Sequence, residues 1–195
     1  LLHGCRQNAD DFARAAGVSQ FVASHGWAVL LLDQSRLANA YRCWNWFDKR
    51  VMRGGAEVAI VVKAAHKTAK KLKIDPAATA IAGMSSGAAL AAAVCAHHPA
   101  RLSVGLFHSG LPYGASLKPS AAMDAISEGP QRDVTSLVTP APNSYAAMVI
   151  QGMDDAVVNP VHADELMRQV LAVHLGDRPL VSRQLFAAGR TGEPR

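Results

Sequence analysis

The pentapeptide Gly83-Met84-Ser85-Ser86-Gly87 sets a serine between glycines two residues away on either side. A short apolar run, Ala78 to Ala82, precedes it, and an alanine-rich helical stretch, Ser86 to His97, follows. A serine at the crest of a strand-to-helix turn must take up a strained backbone, and the chain can double back only if the flanking positions lack side chains. Gly83 and Gly87 meet that demand. The turn presents the Ser85 hydroxyl at the positive end of the following helix, where the N–H of Ser86 can face an oxygen that develops negative charge. This is the chemistry of nucleophilic acyl transfer. The structural alternative is an ordinary glycine-bounded turn.

Acyl transfer needs a second oxyanion donor, a base and an acid that orients the base. Leu2-His3-Gly4-Cys5 closes the first apolar run, and Gly4 allows the backbone to approach closely, so the N–H of Cys5 is the candidate second donor. The Cys5 thiol is a rival nucleophile, but no base is visibly paired with it. His3 precedes the serine, which is wrong for the order Ser, Asp, His, and it reads as a structural residue holding its loop. The acid belongs in a loop at the carboxyl edge of the sheet, and Asp154 and Asp155 lie in such a loop after the run Ala146 to Ile150. A solvated helix entry is the alternative for that pair. Of eight histidines only His162 and His174 come after it, both within an expected helix, where each reads as facing solvent or capping.

The elements that must position these residues alternate along the chain, apolar run then helical pattern, as parallel strands joined by crossover helices do. Leu1-Leu2 reads as a strand end, Asp10 to Ala16 as a helix interrupted at Gly17, and Trp27 to Leu32 as a buried strand closed by Asp33. Residues 34–53 show no period and carry Trp44, Trp46 and Phe47, a long loop with an aromatic anchor. A helix then opens at Gly54-Gly55, with Val58, Val61, Val62, Ala65 and Leu72 on one face, and stops at Asp75-Pro76. Strands are expected at 78–82, 102–107 and 146–150, helices at 86–97 and 161–175, and a last strand at 180–186, with Leu166, Val170 and Val173 turned inward. The polar, proline-bearing stretch between Leu111 and Pro142 is the candidate cap. Trp44, Trp46, Phe47 and Tyr113 either form an apolar binding face beside Ser85 or pack beneath the long loop; tryptophan is well buried for both reasons.

Four blocks together, Leu2-His3-Gly4-Cys5 with Gln7-Asn8-Ala9, Cys43-Trp44-Asn45-Trp46-Phe47, the Ser85 turn, and Gly110-Leu111-Pro112-Tyr113-Gly114, resemble the polyhydroxybutyrate depolymerase family of esterases. That family also includes feruloyl- and acetyl-xylan-esterase-like members. The resemblance implies an α/β-hydrolase fold: a three-layer sandwich whose mostly parallel sheet carries helices on both faces. Here it would be a single partial domain over residues 1–195, with a possible cap insertion at 111–142. It implies hydrolysis of carboxylic esters, often polymeric (polyester or acylated polysaccharide) and outside the cell, with no cofactor. The stretch Gln151 to Pro160 resembles the family's Gly-x-x-Asp-x-x-Val loop, and alignment on Gly152 and Val158 selects Asp155 as the acid. The family sets its histidine in a loop past the last strand. The expectation is therefore that the chain lacks its first strand or strands and its C-terminal part, that the base lies beyond Arg195, and that this polypeptide alone is nearly inactive. A non-catalytic binding protein of the same fold is the alternative from another class.

Composition bounds the rest. A length of 195 residues with 50% apolar content fits one core. The net charge of +5 is scattered except for Lys67, Lys70, Lys71 and Lys73, which end an expected helix, where cations oppose the helix dipole; no nucleic-acid partner is expected. No apolar stretch approaches the roughly 20 residues of a membrane span. Cys5, Cys43 and Cys95 lack metal-site spacing, so no metal is expected; Cys95 reads as buried, and Cys5 and Cys43 could pair if the protein is exported.

Overall fold

The computed structural model describes residues 1–75, 78–142 and 145–174, together with Ser182 and Gln184. Three short strands form its sheet: β1 (Ala80–Met84), β2 (Val104–His108) and β3 (Ala146–Ile150), all parallel and in that order. Leu2 extends the sheet beyond β1, making parallel bridges to Gly83 on one side and to Leu32 on the other. The order across the sheet is thus Leu32, Leu2, β1, β2, β3. The chain moves outward from Leu2 to Leu32 and then returns past Leu2 to β1. Leu2 and β1 therefore flank the point where the winding direction reverses, the position at which open α/β sheets generally bind their ligands.

The first crossover carries α1 (Ala9–Ala15) and α2 (Val18–His25), separated at Gly17, whose φ of 63° breaks the helix as expected. Asn8 caps α1 by accepting the N–H of Asp11 at 2.8 Å. The later crossovers carry α3 (Glu57–Leu72) and α4 (Ser86–His97), and α6 (Val161–Val173) follows β3. Right-handed crossovers running in opposite directions along a sheet lie on opposite faces, so α1 and α2 are on one face and α3, α4 and α6 on the other. The principal core lies under the second group. There Val58, Val61, Leu90, Val94, Cys95, Phe107, Leu166, Val170 and Val173 are buried together.

Alanine explains how close α4 can come. Ala88 to Ala93, with Leu90 at the centre, are all buried, and Gly105 of β2 lies so near that an added Cβ would sit 3.2 Å from Cys95 Sγ. Small residues on both surfaces let helix and sheet approach without a void.

Several expectations shift. Trp27 to Leu32 was expected as a buried strand; only Leu32 makes a bridge, and Trp27 is 49% exposed. The segment is held to Leu1 by the Leu1 amino group donating to the Leu30 carbonyl at 2.9 Å, at the end of the described sheet. Strands β1 and β2 begin two residues later than expected, at Ala80 and Val104, and run to Met84 and His108. Leu72, placed inward by periodicity, is 49% exposed in the last turn of α3. Lys67, Lys70, Lys71 and Lys73 are exposed there too, at the negative end of the helix. The 111–142 stretch holds α5 (Ala122–Glu128) and two short 3-10 turns, Pro119–Ala121 and Thr135–Leu137. Of the strand expected at 180–186 only Ser182 and Gln184 are among the described residues, and Leu175 lies outside them. Among the described residues no helix is long and apolar enough to cross a membrane.

Candidate active site

Ser85 sits between β1 and α4 with φ 53° and ψ −120°, a conformation a non-glycine residue occupies only when its surroundings enforce it. The enforcement is visible on both sides. Its N–H donates to the His108 carbonyl at 2.9 Å, and its carbonyl accepts the Ala89 N–H at 3.0 Å. A Cβ on Gly83 would sit 2.6 Å from the Ala88 nitrogen, and one on Gly87 would sit 2.7 Å from the Leu2 carbonyl carbon. Both glycines are required by contact as well as by the turn. The Ser85 side chain makes no capping bond to α4. Of the six non-glycine residues with positive φ among the described residues, Ser85 and Ser109 directly follow β1 and β2 at this edge.

Asp155 lies in the loop after β3. Its Oδ1 accepts the N–H groups of Val157 and Val158, each at 2.9 Å, and its Oδ2 accepts Gln151 Nε2 at 3.1 Å. Burial pushes its carboxyl up, but those N–H groups, with side-chain hydrogen bonds from Ser109 and Gln151, outweigh it and hold the group below the usual aspartate range. Ser109 in turn donates its N–H to the Ile150 carbonyl at 2.8 Å. Asp154, the other member of the pair, is exposed. Ser85 directly follows β1, and Asp155 lies in the loop five residues past the end of β3, two strands away along the same edge of the sheet.

The loop His3-Gly4-Cys5 leaves the carboxyl end of the Leu2 segment beside the start of α4. His3 is 1% exposed. The Gln34 N–H points at its Nε2 at 3.0 Å, which puts the ring proton on Nδ1, where it is donated to the Gly4 carbonyl at 2.7 Å. With Nε2 accepting, the 3.3 Å approach of Asp33 is not a salt bridge. Gly4 N–H donates to Gln7 Oε1 at 2.7 Å. Among the described residues the Cys5 N–H has no acceptor, and the Ser86 N–H, first in α4, has none within its helix. Cys5 and Cys43 are joined by a disulfide, and Cys95 is free and buried.

Trp44, Trp46 and Tyr113 are 4, 5 and 8% exposed, so these side chains pack inside rather than forming an open apolar face. Trp44 donates its N–H to Ser86 Oγ at 3.3 Å and its Nε1 to the His3 carbonyl at 3.0 Å. Trp46 joins Ala89, Leu111, Ala115, Ala122 and Val158 in a second apolar cluster that ties the 111–128 stretch to the Asp155 loop. Tyr113 donates its hydroxyl to the Met52 carbonyl at 2.6 Å. The exposed apolar side chains of the long loop are Leu37 and Tyr41. His162 is fully buried with Nε2 against the Ala125 carbonyl at 2.7 Å, and His174 sets its two nitrogens against the Val170 and Tyr145 carbonyls at 2.8 and 3.2 Å.

Sequence reasoning did not single out Ser109, Glu57, Gln34 or His108. Ser109 and Gln151 are hydrogen-bonded to Asp155, while His108 ends β2 with an exposed side chain and a carbonyl bound to Ser85. Among the described residues no cluster of histidine, cysteine and carboxylate groups could hold a metal ion.

Comparison with known proteins bears on the family and the fold. A family model described as esterase PHB depolymerase matches residues 1–184. The chain is 24% identical over 182 residues to poly(3-hydroxyalkanoate) depolymerase C of Paucimonas lemoignei, an alignment covering 89% of this chain and 44% of that protein. The chain thus spans less than half the length of this relative. An acetyl xylan esterase from Aspergillus awamori superposes with a TM-score of 0.72 at 15% identity, over 88% of this chain and 67% of that one. That likeness is one of fold, and the fold is the α/β-hydrolase sandwich expected from the sequence.

Proposed function

Because this chain belongs to the esterase PHB depolymerase family, we propose that it carries the nucleophile of a serine carboxylic-ester hydrolase working through an acyl-enzyme on Ser85. The observation that carries the reading is the left-handed backbone of Ser85, φ 53°, at a strand-to-helix turn whose two glycines have no room for a side chain.

In this mechanism Ser85 Oγ attacks the ester carbonyl carbon while an imidazole takes its proton. The carbonyl oxygen, now negative, is met by the N–H groups of Cys5 and Ser86 and by the positive end of α4. The intermediate collapses, the alkoxide leaves with the proton returned by the imidazolium, and the acyl group stays on Ser85. Water, deprotonated by the same imidazole, then releases the acid and restores the hydroxyl. Asp155 orients the imidazole, and its depressed pKa keeps it ionised to do so. His3 and His174 have both ring nitrogens, and His162 its Nε2, engaged by main-chain groups, so the base is assigned to the histidine loop that the family resemblance sets past the last strand.

The substrate class follows the relative's name: a polymeric carboxylic ester, first a poly(3-hydroxyalkanoate). Residues 111–142 act as a cap over the site, anchored through Leu111, Ala115 and Ala122 to Trp46 and Val158. The Cys5–Cys43 disulfide supports export, since such bonds persist in oxidising compartments. A polypeptide extended through the downstream histidine loop should hydrolyse short-chain nitrophenyl esters, with activity lost in Ser85→Ala, whereas residues 1–195 alone should be nearly inactive. Rapid turnover by the shorter chain would reassign the base to a histidine within it.

A further inference from the structure

Glu57 is 8% exposed, an unusual depth for a carboxylate, and lies in the first turn of α3. Its oxygens are met by amides. Oε2 accepts the Asn45 N–H at 2.7 Å; Oε1 accepts Asn45 Nδ2 at 2.7 Å and Gln34 Nε2 at 2.5 Å. Gln34 also donates to the Cys43 carbonyl at 3.2 Å and accepts the Ser35 N–H at 3.0 Å, and Asn39 donates to Asn45 Oδ1 at 2.9 Å. A buried carboxylate is tolerated only when its lone pairs are used, and here three donors and the positive end of α3 use them. The result is a rigid hub within a 34–57 loop that has no secondary-structure ladder to hold it.

The hub is wired to both segments that carry the oxyanion donors. Trp44, next to Asn45, donates its N–H to Ser86 Oγ and its indole Nε1 to the His3 carbonyl. Gln34, on the other side, donates its N–H to His3 Nε2. The same loop is fastened to Cys5 by the disulfide and to Arg6 by the 2.7 Å bond from the Arg6 N–H to the Tyr41 carbonyl. We propose that Glu57 and Trp44 are positioning residues for the oxyanion hole: the buried carboxylate fixes the loop, and the tryptophan transmits that fixity to Ser86 and to the His3-Gly4-Cys5 turn. This rests on the hydrolytic reading above, and it gives Trp44 a role other than contact with substrate.

Oxyanion donors act over hydrogen-bond distances, and a misplacement of about 1 Å can cost on the order of 100-fold in rate. Glu57→Gln keeps the shape but turns an NH2 group toward existing donors; Trp44→Phe keeps most of the buried volume but removes the indole donor. In the full-length protein both variants should lose about tenfold to hundredfold in kcat for a nitrophenyl ester, with KM within about twofold of wild type. A purely structural role would lower the melting temperature and leave kcat of the folded fraction unchanged. An unchanged kcat in both, or a rise in KM with kcat intact for Trp44→Phe, overturns the proposal. Should Glu57→Gln fail to fold, Trp44→Phe decides alone. Absence of ester turnover in the wild type would instead remove the hydrolytic reading and this inference with it, a result distinct from an active wild type with unaffected variants.

Discussion

Gly87→Ala is the smallest change that tests whether the turn around Ser85 is held by contact. An added methyl would meet the carbonyl oxygens of Leu2 and His3, with the Leu2 carbonyl carbon at 2.7 Å, about 0.7 Å inside the 3.4 Å where ordinary contact begins. All three are backbone atoms in the sheet or the oxyanion loop and cannot rotate away. Relief requires α4 to separate from the Leu2-His3 segment by most of that distance. Overpacking of this kind costs about 1–3 kcal/mol, which for a domain of this size lowers the melting temperature by roughly 2–12 °C. The same displacement separates the Ser86 N–H from the Cys5 N–H, so the rate should fall by more than stability alone explains, on the order of 10–100-fold. Gly152→Ala is the control, because its methyl would meet nothing nearer than Asp155 Cβ at 3.8 Å. Circular-dichroism melts and initial rates on the extended polypeptide measure both effects. A Gly87→Ala variant that melts and turns over like the wild type would refute the close approach of α4 to the Leu2 segment.

The Asp155 carboxyl is held below its ordinary value, so its contribution to stability is fully present above the unfolded aspartate pKa, about 3.9, and is lost as pH falls through the folded value. The stability difference between wild type and Asp155→Asn, followed by denaturant melts, should therefore be constant from neutral pH down to about 5 and shrink below about 4. The Cys5–Cys43 disulfide joins residues 38 apart, and loop-closure entropy assigns it about 4 kcal/mol. Replacing both cysteines with serine should lower the melting temperature by roughly 8–16 °C, and reductant should do the same to wild type while leaving the serine variant unchanged.

The parts of the fold that were legible in the sequence are those where local composition and tertiary demand coincide. Helix α4 was expected at 86–97 and is observed there, because an alanine-rich stretch between a glycine turn and Pro99 strongly favours a helix. Strand β3 was bounded as observed for a similar reason. Strands β1 and β2 were placed two residues early, since their extent is set by pairing through Gly83 and His108, residues with no apolar signal. The serine turn was legible from its two glycines. Ser109's bond to Asp155 was not, because a serine after a strand carries no mark of the loop that will fold over it. Glu57 was equally hidden: an acidic residue in a helix's first turn reads as a partner for the dipole, and its true partners lie 12 and 23 residues away in a stretch without period. Trp44 and Trp46 left packing and binding open, and only the bonds from Trp44 to His3 and Ser86 show where that side chain faces.

Reaction of the extended polypeptide with a serine-directed alkyl phosphonate, followed by peptide mass spectrometry, is the most direct measurement. One phosphonyl group per chain on Ser85, absent in Ser85→Ala and slowed in Asp155→Asn, is the expected result. No adduct, or an adduct on another residue with ester turnover intact, would contradict the assignment of Ser85 as the nucleophile.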